Sequence, residues 1–509
     1  MRIHRFHGGL KLQGRYEAVP SPINECALPP RLHLPLIARE GLVDPVVSVG
    51  DRVLRGQCIG EPRGASARVL ASSSGAVIAI ETRDVASPHV ARATCVVIEP
   101  DGEDRWSLLP SIEDWPSAPR EVLLSRLREA GVIGLGGAAF PAGIKLAAPI
   151  EILILNGAEC EPGIGCDRAL MRERAREVVQ GAALLAHIAQ ARQTIIALED
   201  AMQDACAAME NALREHPFEG ALLALVPTRY PQGGERQLIE TLTGREVPAH
   251  GLPRDIGVLC HNVGTAAAVW RAVVRGEALT SRLVSVNGAG VARPGNYEVR
   301  FGTPIAWLVE QAGGYTPHAA RLVAGGAMMG LALPHDDIPI EASCNAIQVM
   351  DAATIKPPAP ELPCIRCGEC VRVCPARLLP QQLFAYLVRE DWTRVQQHEL
   401  GACIECGCCA TACPSQIPLV AWYRWGKSGL REQARTREFA DSSRTRFETR
   451  NARLQREHDE RAARRPSEIV TTPAPAISKA EVLAAIARGR ARRDARDSGH
   501  SSDENGSAP

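Results

Sequence analysis

Two stretches of the chain share one spacing: Cys364-Ile365-Arg366-Cys367-Gly368-Glu369-Cys370-Val371-Arg372-Val373-Cys374-Pro375 and Cys403-Ile404-Glu405-Cys406-Gly407-Cys408-Cys409-Ala410-Thr411-Ala412-Cys413-Pro414. Gaps of two, two and three residues before a Cys-Pro pair let three thiolates wrap one cubane cluster and send the fourth sulfur elsewhere. This is the ligand spacing of two [4Fe–4S] clusters, in which the fourth cysteine of each run serves the cluster of the other. The spacing predicts cluster 1 on Cys364, Cys367, Cys370 and Cys413, and cluster 2 on Cys374, Cys403, Cys406 and Cys409. The three-residue step is expected to open a helix, with Pro375 and Pro414 among donors that a helix start leaves unpaired. Zinc sites and disulfide frameworks seldom end such a run in Cys-Pro, and seldom repeat it. Cys408 breaks the register of the second run, which leaves Cys409 as the ligand and Cys408 as an additional thiol.

Composition narrows the remaining chemistry. The 509 residues exceed one ordinary core, so several domains are expected. Lys plus Arg and Asp plus Glu number 58 each, so no overall basic field argues for nucleic acid. Aromatic residues make up 4%, which leaves little for base stacking. The cysteines outside the two runs are scattered and odd in number, which favours a reducing compartment over a secreted scaffold. No apolar stretch approaches the roughly 20 residues needed to span a bilayer, and the first residues lack the apolar core of a signal peptide.

Patterning divides the chain further. Residues 1–30 read as an irregular segment, and 31–105 as a small β unit in which short runs such as Val46–Val49 and Gly75–Ile80 alternate with glycine turns. Residues 115–275 alternate strands and helices: a helix over Glu121–Ala130, a strand over Glu151–Leu155, a long helix over Arg172–Ala191 and a strand over Thr194–Leu198. That alternation predicts an α/β layer on a parallel sheet. Residues 280–352 are β-rich with a helix at Pro304–Ala312, and Pro357–Pro360 forms a stiff linker into the helical cluster domain at 360–425. Residues 427–509 are a charged tail, with a basic amphipathic helix over Lys479–Arg493 and a disordered end from Asp494.

Four loops invite a ligand. The first is Gly134-Leu135-Gly136-Gly137-Ala138-Ala139-Phe140-Pro141, followed by Lys145, where clustered glycines let backbone N–H groups approach a phosphate. The second, Asn156-Gly157-Ala158-Glu159-Cys160-Glu161-Pro162-Gly163, leaves the carboxyl end of a strand, where open α/β sheets bind ligands. The others are Tyr230-Pro231-Gln232-Gly233-Gly234-Glu235 and His261-Asn262-Val263-Gly264-Thr265. Taken singly, each reads as readily as a turn.

In this order, upstream of the cysteine runs, the four loops resemble the NADH-binding flavoprotein subunit of respiratory complex I. They resemble more closely the RnfC family, the flavin and iron–sulfur subunits of the Rnf (Rsx) electron-transport complexes, over residues from about 5 to 425. The resemblance implies a multidomain α/β and β protein. Its parts would be a barrel-sandwich hybrid, an α/β FMN-binding domain, a β-grasp module at Val286–Pro304 and a two-cluster ferredoxin-type domain. Between Gly41 and Glu99 there is no lysine, so the barrel-sandwich unit cannot carry lipoyl or biotinyl.

Carried over by motif position, Gly134, Gly136, Gly137 and Lys145 would hold the phosphate and ribityl chain of noncovalent FMN. Asn156, Ala158 and Glu159 would lie near its ring, with Glu235, Asn262 and Thr265 completing the pocket, and Phe140 and Glu161 would meet NADH. Leu135 stands where complex I has arginine, and Ala139 where both families have glycine. The resemblance further implies electron flow between NADH or NAD+ and a ferredoxin-type protein. The chain would sit peripherally on the cytoplasmic face of an inner membrane, with integral and peripheral partner proteins that couple the flow to ion movement. Two other readings use the same residues: a module of a soluble NAD-linked dehydrogenase or hydrogenase, and an iron–sulfur relay or scaffold without flavin.

Overall fold

The computed structural model describes residues 2–12, 21–37, 43–64, 66–86, 91–137, 139–146, 148–355, 360–464 and 476–497. It comprises two compact units, Met1–Leu430 and Arg431–Pro509. Ala138 of the glycine loop, most of the Pro357–Pro360 linker and the last twelve residues fall outside the described residues.

At the centre of the first unit is a four-stranded parallel sheet, in the order Ala221–Val226, Gln193–Glu199, Ile152–Gly157, Val258–Asn262. Its strands are near-continuous apolar runs because both faces are covered, as a parallel sheet requires. Leu153 and Leu155 point to one face, where they join helices Arg120–Glu129, Ala175–Ala189, Gln203–Glu215 and Val263–Trp270. Ile152 and Ile154 point to the other, against Leu238, Ile239 and Leu242 of helix Glu235–Thr243. The expected helix over Arg172–Ala191 is two helices, Cys166–Glu173 and Ala175–Ala189. Arg174 leaves the helical conformation between them (φ −129°, ψ 35°) and its guanidinium reaches Glu298 at 2.6 Å, a tertiary partner that local propensity does not register.

The barrel-sandwich unit packs an antiparallel sheet of Leu32–Pro35, Arg92–Pro100, Gly75–Asp84 and Arg52–Val53 beside a smaller one of Val43–Pro45, Cys58–Pro62 and Val69–Leu70. Leu32, Leu34, Ile59 and Ile98 are fully enclosed between them. Val46–Val49 is not a strand: strand Val43–Pro45 ends before it, Val46 N–H makes one further bond to Ile59 O at 3.0 Å, and the side chains of Val46 and Val49 are exposed. The β-grasp module has a mixed six-stranded sheet, ordered Ile23–Glu25, Gly295–Arg300, Ser281–Asn287, Ala346–Asp351, Ala319–Ala324, Leu331–Ala332, packed on helix Ile305–Gln311. The N-terminal segment is therefore not irregular throughout. Ile23–Glu25 adds a parallel edge strand to the β-grasp sheet, where Gly295–Arg300 offers an unpaired edge.

The cluster domain is built from helices Glu369–Arg372, Pro380–Leu387, Trp392–Gln397 and Cys408–Thr411 and the first turns of Leu419–Ala463, around Leu383, Leu387, Val395, Leu400 and Tyr423. The expected helix start at Cys-Pro is corrected. Each short helix carries the third cysteine of its run and ends before the fourth, so Pro375 and Pro414 follow a helix end, where proline cannot continue it. In the second unit, the rest of Leu419–Ala463 and helix Lys479–Asp497 expose their charged side chains, and the second helix runs four residues past Arg493. Among the described residues no helix is long and apolar enough to cross a membrane.

Candidate functional site

The loops that leave the carboxyl ends of Ile152–Gly157 and Val258–Asn262 meet the glycine loop. Leu135 N–H donates to Thr265 Oγ1 at 2.9 Å, and Gly134 N–H closes the loop on Phe140 O at 2.8 Å. A Cβ built on Gly136 would lie 3.3 Å from Cβ of Asn262, and one on Gly137 (φ +97°) would meet nothing within 4 Å. The glycine loop thus faces the start of helix Val263–Trp270 across a gap that side chains would narrow. Asn262 caps that helix through Oδ1, which accepts from Gly264 N–H at 2.8 Å, and donates from Nδ2 to Asp167 at 2.6 Å. Lys145 Nζ stands 3.2 Å from Cys260 O and 3.4 Å from Glu235 Oε2. Asn156 accepts from Ala158 N–H and donates to Gly233 O at 2.9 Å, which ties the second loop to the third.

Burial raises the carboxyl groups gathered here. Glu159 accepts the backbone N–H groups of Asp167 and Arg168 at 3.1 Å and the Cys166 thiol. Part of its surface remains open, yet desolvation of its oxygens raises it, and the neighbouring Asp167, itself raised by desolvation, adds to the effect. Glu199, at the end of the adjacent strand, is pushed up to about 8 by burial, then by Glu159 and Asp200. Glu161 is pushed up to about 7 by desolvation.

Ten of the twelve residues expected for flavin or nucleotide gather at these strand ends: Gly134, Gly136, Gly137, Lys145, Asn156, Ala158, Glu159, Glu235, Asn262 and Thr265. Phe140 closes the glycine loop through its carbonyl. Glu161, farther along the second loop, bonds to the β-grasp module: its Oε1 accepts from Met328 N–H at 3.2 Å and Met329 N–H at 2.7 Å. Ala139 adopts φ +47°, so this departure from glycine costs backbone strain besides adding a methyl.

The cysteines fall into two groups that cross the runs. Cys413 lines one cavity with Cys364, Cys367 and Cys370; Cys374 does not. Cys374 instead lies among Cys403, Cys406 and Cys409: burial and then neighbouring thiols raise Cys374, Cys403 and Cys409, with Cys403 pushed up to about 11. The two sites differ in exposure. Cys364 and Cys367 are exposed, whereas Cys374, Cys406 and Cys409 are buried. No cysteine is joined in a disulfide, Cys160 and Cys166 included.

Sequence reading missed three features. Arg282, on the first β-grasp strand, donates to Leu135 O at 3.1 Å and pins the glycine loop from below its turn. The Tyr230 hydroxyl donates to Cys406 O at 2.7 Å, which joins the third loop to the second cysteine group. Cys160, Tyr230, Cys406 and the fully buried Cys408 pack in one cluster. The Tyr-Pro-Gln-Gly loop was the only signal for Tyr230, and nothing local marks Arg282.

The residues fit the groups that the motifs imply. The glycine loop leaves the space a Cβ would fill, Lys145 supplies a cation beside it, and each cysteine group brings four thiols together. Comparison with known families agrees. The Nuo51 FMN-binding domain matches residues 127–271, and a 4Fe-4S dicluster domain matches 363–417. An SLBB domain matches 283–332, and the RnfC barrel sandwich hybrid domain matches 4–103, which takes in the N-terminal segment. These domains define a flavin- and iron–sulfur-binding electron-transport protein.

The RnfC protein of the ion-translocating oxidoreductase complex of Pseudomonas aeruginosa is 44% identical over 97% of this chain and 66% of its own length. Its counterpart in Salmonella arizonae is 42% identical over 96% of this chain and 72% of its own. The chain belongs to this RnfC family of ion-translocating oxidoreductase components. Among solved structures, a NAD+-reducing [NiFe]-hydrogenase in the H2-reduced state aligns with TM-score 0.44 and 22% identity, over 62% of this chain and 65% of that one.

Proposed function

We propose that this chain is the NADH-linked component of an ion-translocating electron-transport complex, exchanging electrons between NADH and a ferredoxin-type carrier. It would bind peripherally at the cytoplasmic face, with integral partner proteins moving the ion. Gly134, Gly136, Gly137, Lys145, Asn156, Ala158, Glu159, Glu235, Asn262 and Thr265 would hold FMN. Cys364, Cys367, Cys370 and Cys413 would hold cluster 1, and Cys374, Cys403, Cys406 and Cys409 cluster 2. Bound FMN exchanges a hydride with nicotinamide and passes electrons singly, and each cluster carries one electron.

The observation that carries the reading is the contact of Cys160 and Tyr230 with Cys406 and Cys408, which sets the second and third loops, together called the flavin loop, against the second cysteine group. On this reading cluster 2 would be the neighbour of that loop and cluster 1, with Cys364 and Cys367 exposed, the outer site. Lys145, whose Nζ stands near Cys260 O and Glu235, would offset phosphate charge. Desolvation raises Glu159 and Glu199 at the strand ends, which favours their protonated forms.

Anaerobic purification with iron, sulfide and FMN quantified together tests the cofactor set. The expected result is one FMN and two clusters per chain, with integral membrane proteins copurifying. A flavin-free preparation with normal clusters would make the chain a relay, and a fully loaded preparation without membrane partners would make it a soluble module.

A further inference from the structure

Residues 4–10 run along the seam between the flavin-type domain and the cluster domain and bond to both. On the flavin side His4 N–H donates to Thr241 O at 2.8 Å, and Leu10 and Tyr230 exchange two backbone hydrogen bonds at 2.7 and 3.0 Å. The Arg229 guanidinium also donates to Gly8 O and lies over the ring of the buried Phe6. On the cluster side Gly9 N–H donates to Val373 O at 2.9 Å, and His7 Nδ1 bonds Cys374 O at 3.0 Å. Leu10 and Leu12 then pack on the cluster of Cys160, Tyr230, Cys406 and Cys408.

We propose that His4–Leu10 is a clasp that holds the second cysteine group against the flavin loop, with His7, Gly8 and Gly9 as positioning residues for electron transfer across the seam. The inference rests on the proposed function for its electron-transfer part alone. The two glycines show how closely the clasp fits. Gly8 (φ +70°) brings its Cβ position within 2.7 Å of the Val373 backbone, and Gly9 (φ +76°) within 2.6 Å of Tyr230 O. One is therefore pressed against the cluster domain and the next against the flavin domain. Both left-handed conformations also favour glycine. Among the described residues the other polar side-chain contacts across the seam are Tyr230 to Cys406 O, Gln237 to Pro375 O at 3.4 Å, Arg377 to Glu240 and Glu246, and the exposed His250 to Glu399 at 3.1 Å. A merely packed terminus would need neither glycine.

The test uses the full chain carrying Gly8→Val, Gly9→Val or His7→Ala. Gly50→Val is the control, since Gly50 has φ +99° with nothing within 4 Å of its Cβ position. Rapid mixing with NADH reads flavin bleaching and cluster bleaching separately. The expected result is unchanged flavin reduction, with cluster reduction slowed on the order of tenfold in the two valine variants. In those variants amide hydrogen exchange should also rise together at 229–233 and 373–376, and the control should change neither. This exchange measurement needs no flavin, so a chain that fails to bind FMN would overturn the proposed function while still testing the clasp. Gly8→Ala and Gly9→Ala replace any valine variant that does not fold. Wild-type cluster reduction together with unchanged exchange on either side would overturn the clasp.

Discussion

The hydroxyl of Tyr230 donates to the main-chain carbonyl of Cys406 at 2.7 Å, so a residue of the sheet domain and a ligand-type cysteine share one buried hydrogen bond. Tyr230→Phe leaves that carbonyl unsatisfied while keeping the ring. The expected cost is about 1–2 kcal/mol of stability, read as a lowered denaturant midpoint. A larger loss than this would mean that the ring itself had moved.

Replacing Cys374 with serine should remove the cluster assigned to Cys403, Cys406 and Cys409 and spare the one beside Cys413. Electron paramagnetic resonance distinguishes the two signals. Loss confined to the cluster of Cys364, Cys367 and Cys370 would reverse the assignment that the shared cavity of Cys413 supports.

Gly136→Val puts a branched side chain into a gap where even Cβ lies 3.3 Å from Asn262. The expected outcome is a folded chain that retains its clusters and no FMN. Stoichiometric flavin in the purified variant would remove Gly136 from the binding loop.

Glu161 supplies a pH dependence. Its carboxyl is raised from 4.5 to about 7, so between those values the folded chain holds a proton that the unfolded chain has released. Its contribution is therefore complete at low pH and is lost as pH climbs through that window. Because Oε1 accepts both backbone N–H groups, Glu161→Gln can keep them. The glutamine variant should match wild type near about pH 4.5 and exceed it by about 1–3 kcal/mol near about pH 8. Chemical denaturation at the two pH values checks this.

Ending the chain after Leu430 removes the second unit and leaves Gly429 packed against Trp392. A cut at Lys427, where the charge-rich sequence begins, would be too early. If folded domains carry the docking, membrane association and NADH-dependent activity survive the cut and change little with salt. Detachment of the shortened chain would instead assign docking to the basic helix.

What could be read from the chain follows how local each signal is. The cysteine groups and the strands of the central sheet were legible because ligand spacing and apolar runs lie within a few residues. Ten of the residues that the resemblance assigned to FMN lie together, because the glycine loop and the Glu235 helix close on the strand ends that carry Asn156 and Asn262. The break at Arg174 was hidden because its cause, Glu298, is far along the chain. His4–Leu10 looked irregular for the same reason: its partners lie near residues 229–241 and 373–374. Glu161 was expected at the nucleotide, and only the fold shows Met328 and Met329 bound to it.

Cys413 shares its cavity with three cysteines of the earlier run, and this has a consequence for biosynthesis. A ribosome that has just released Cys374 has delivered four thiols in a row, yet these do not make up either site. On the proposed ligand sets both sites would become complete only when Cys409 and Cys413 have emerged, so iron insertion would belong to the finished domain and not to the nascent first run. Chains cut short between the two runs should consequently leave the ribosome without a stable cluster, and the cell would meet them as apo fragments.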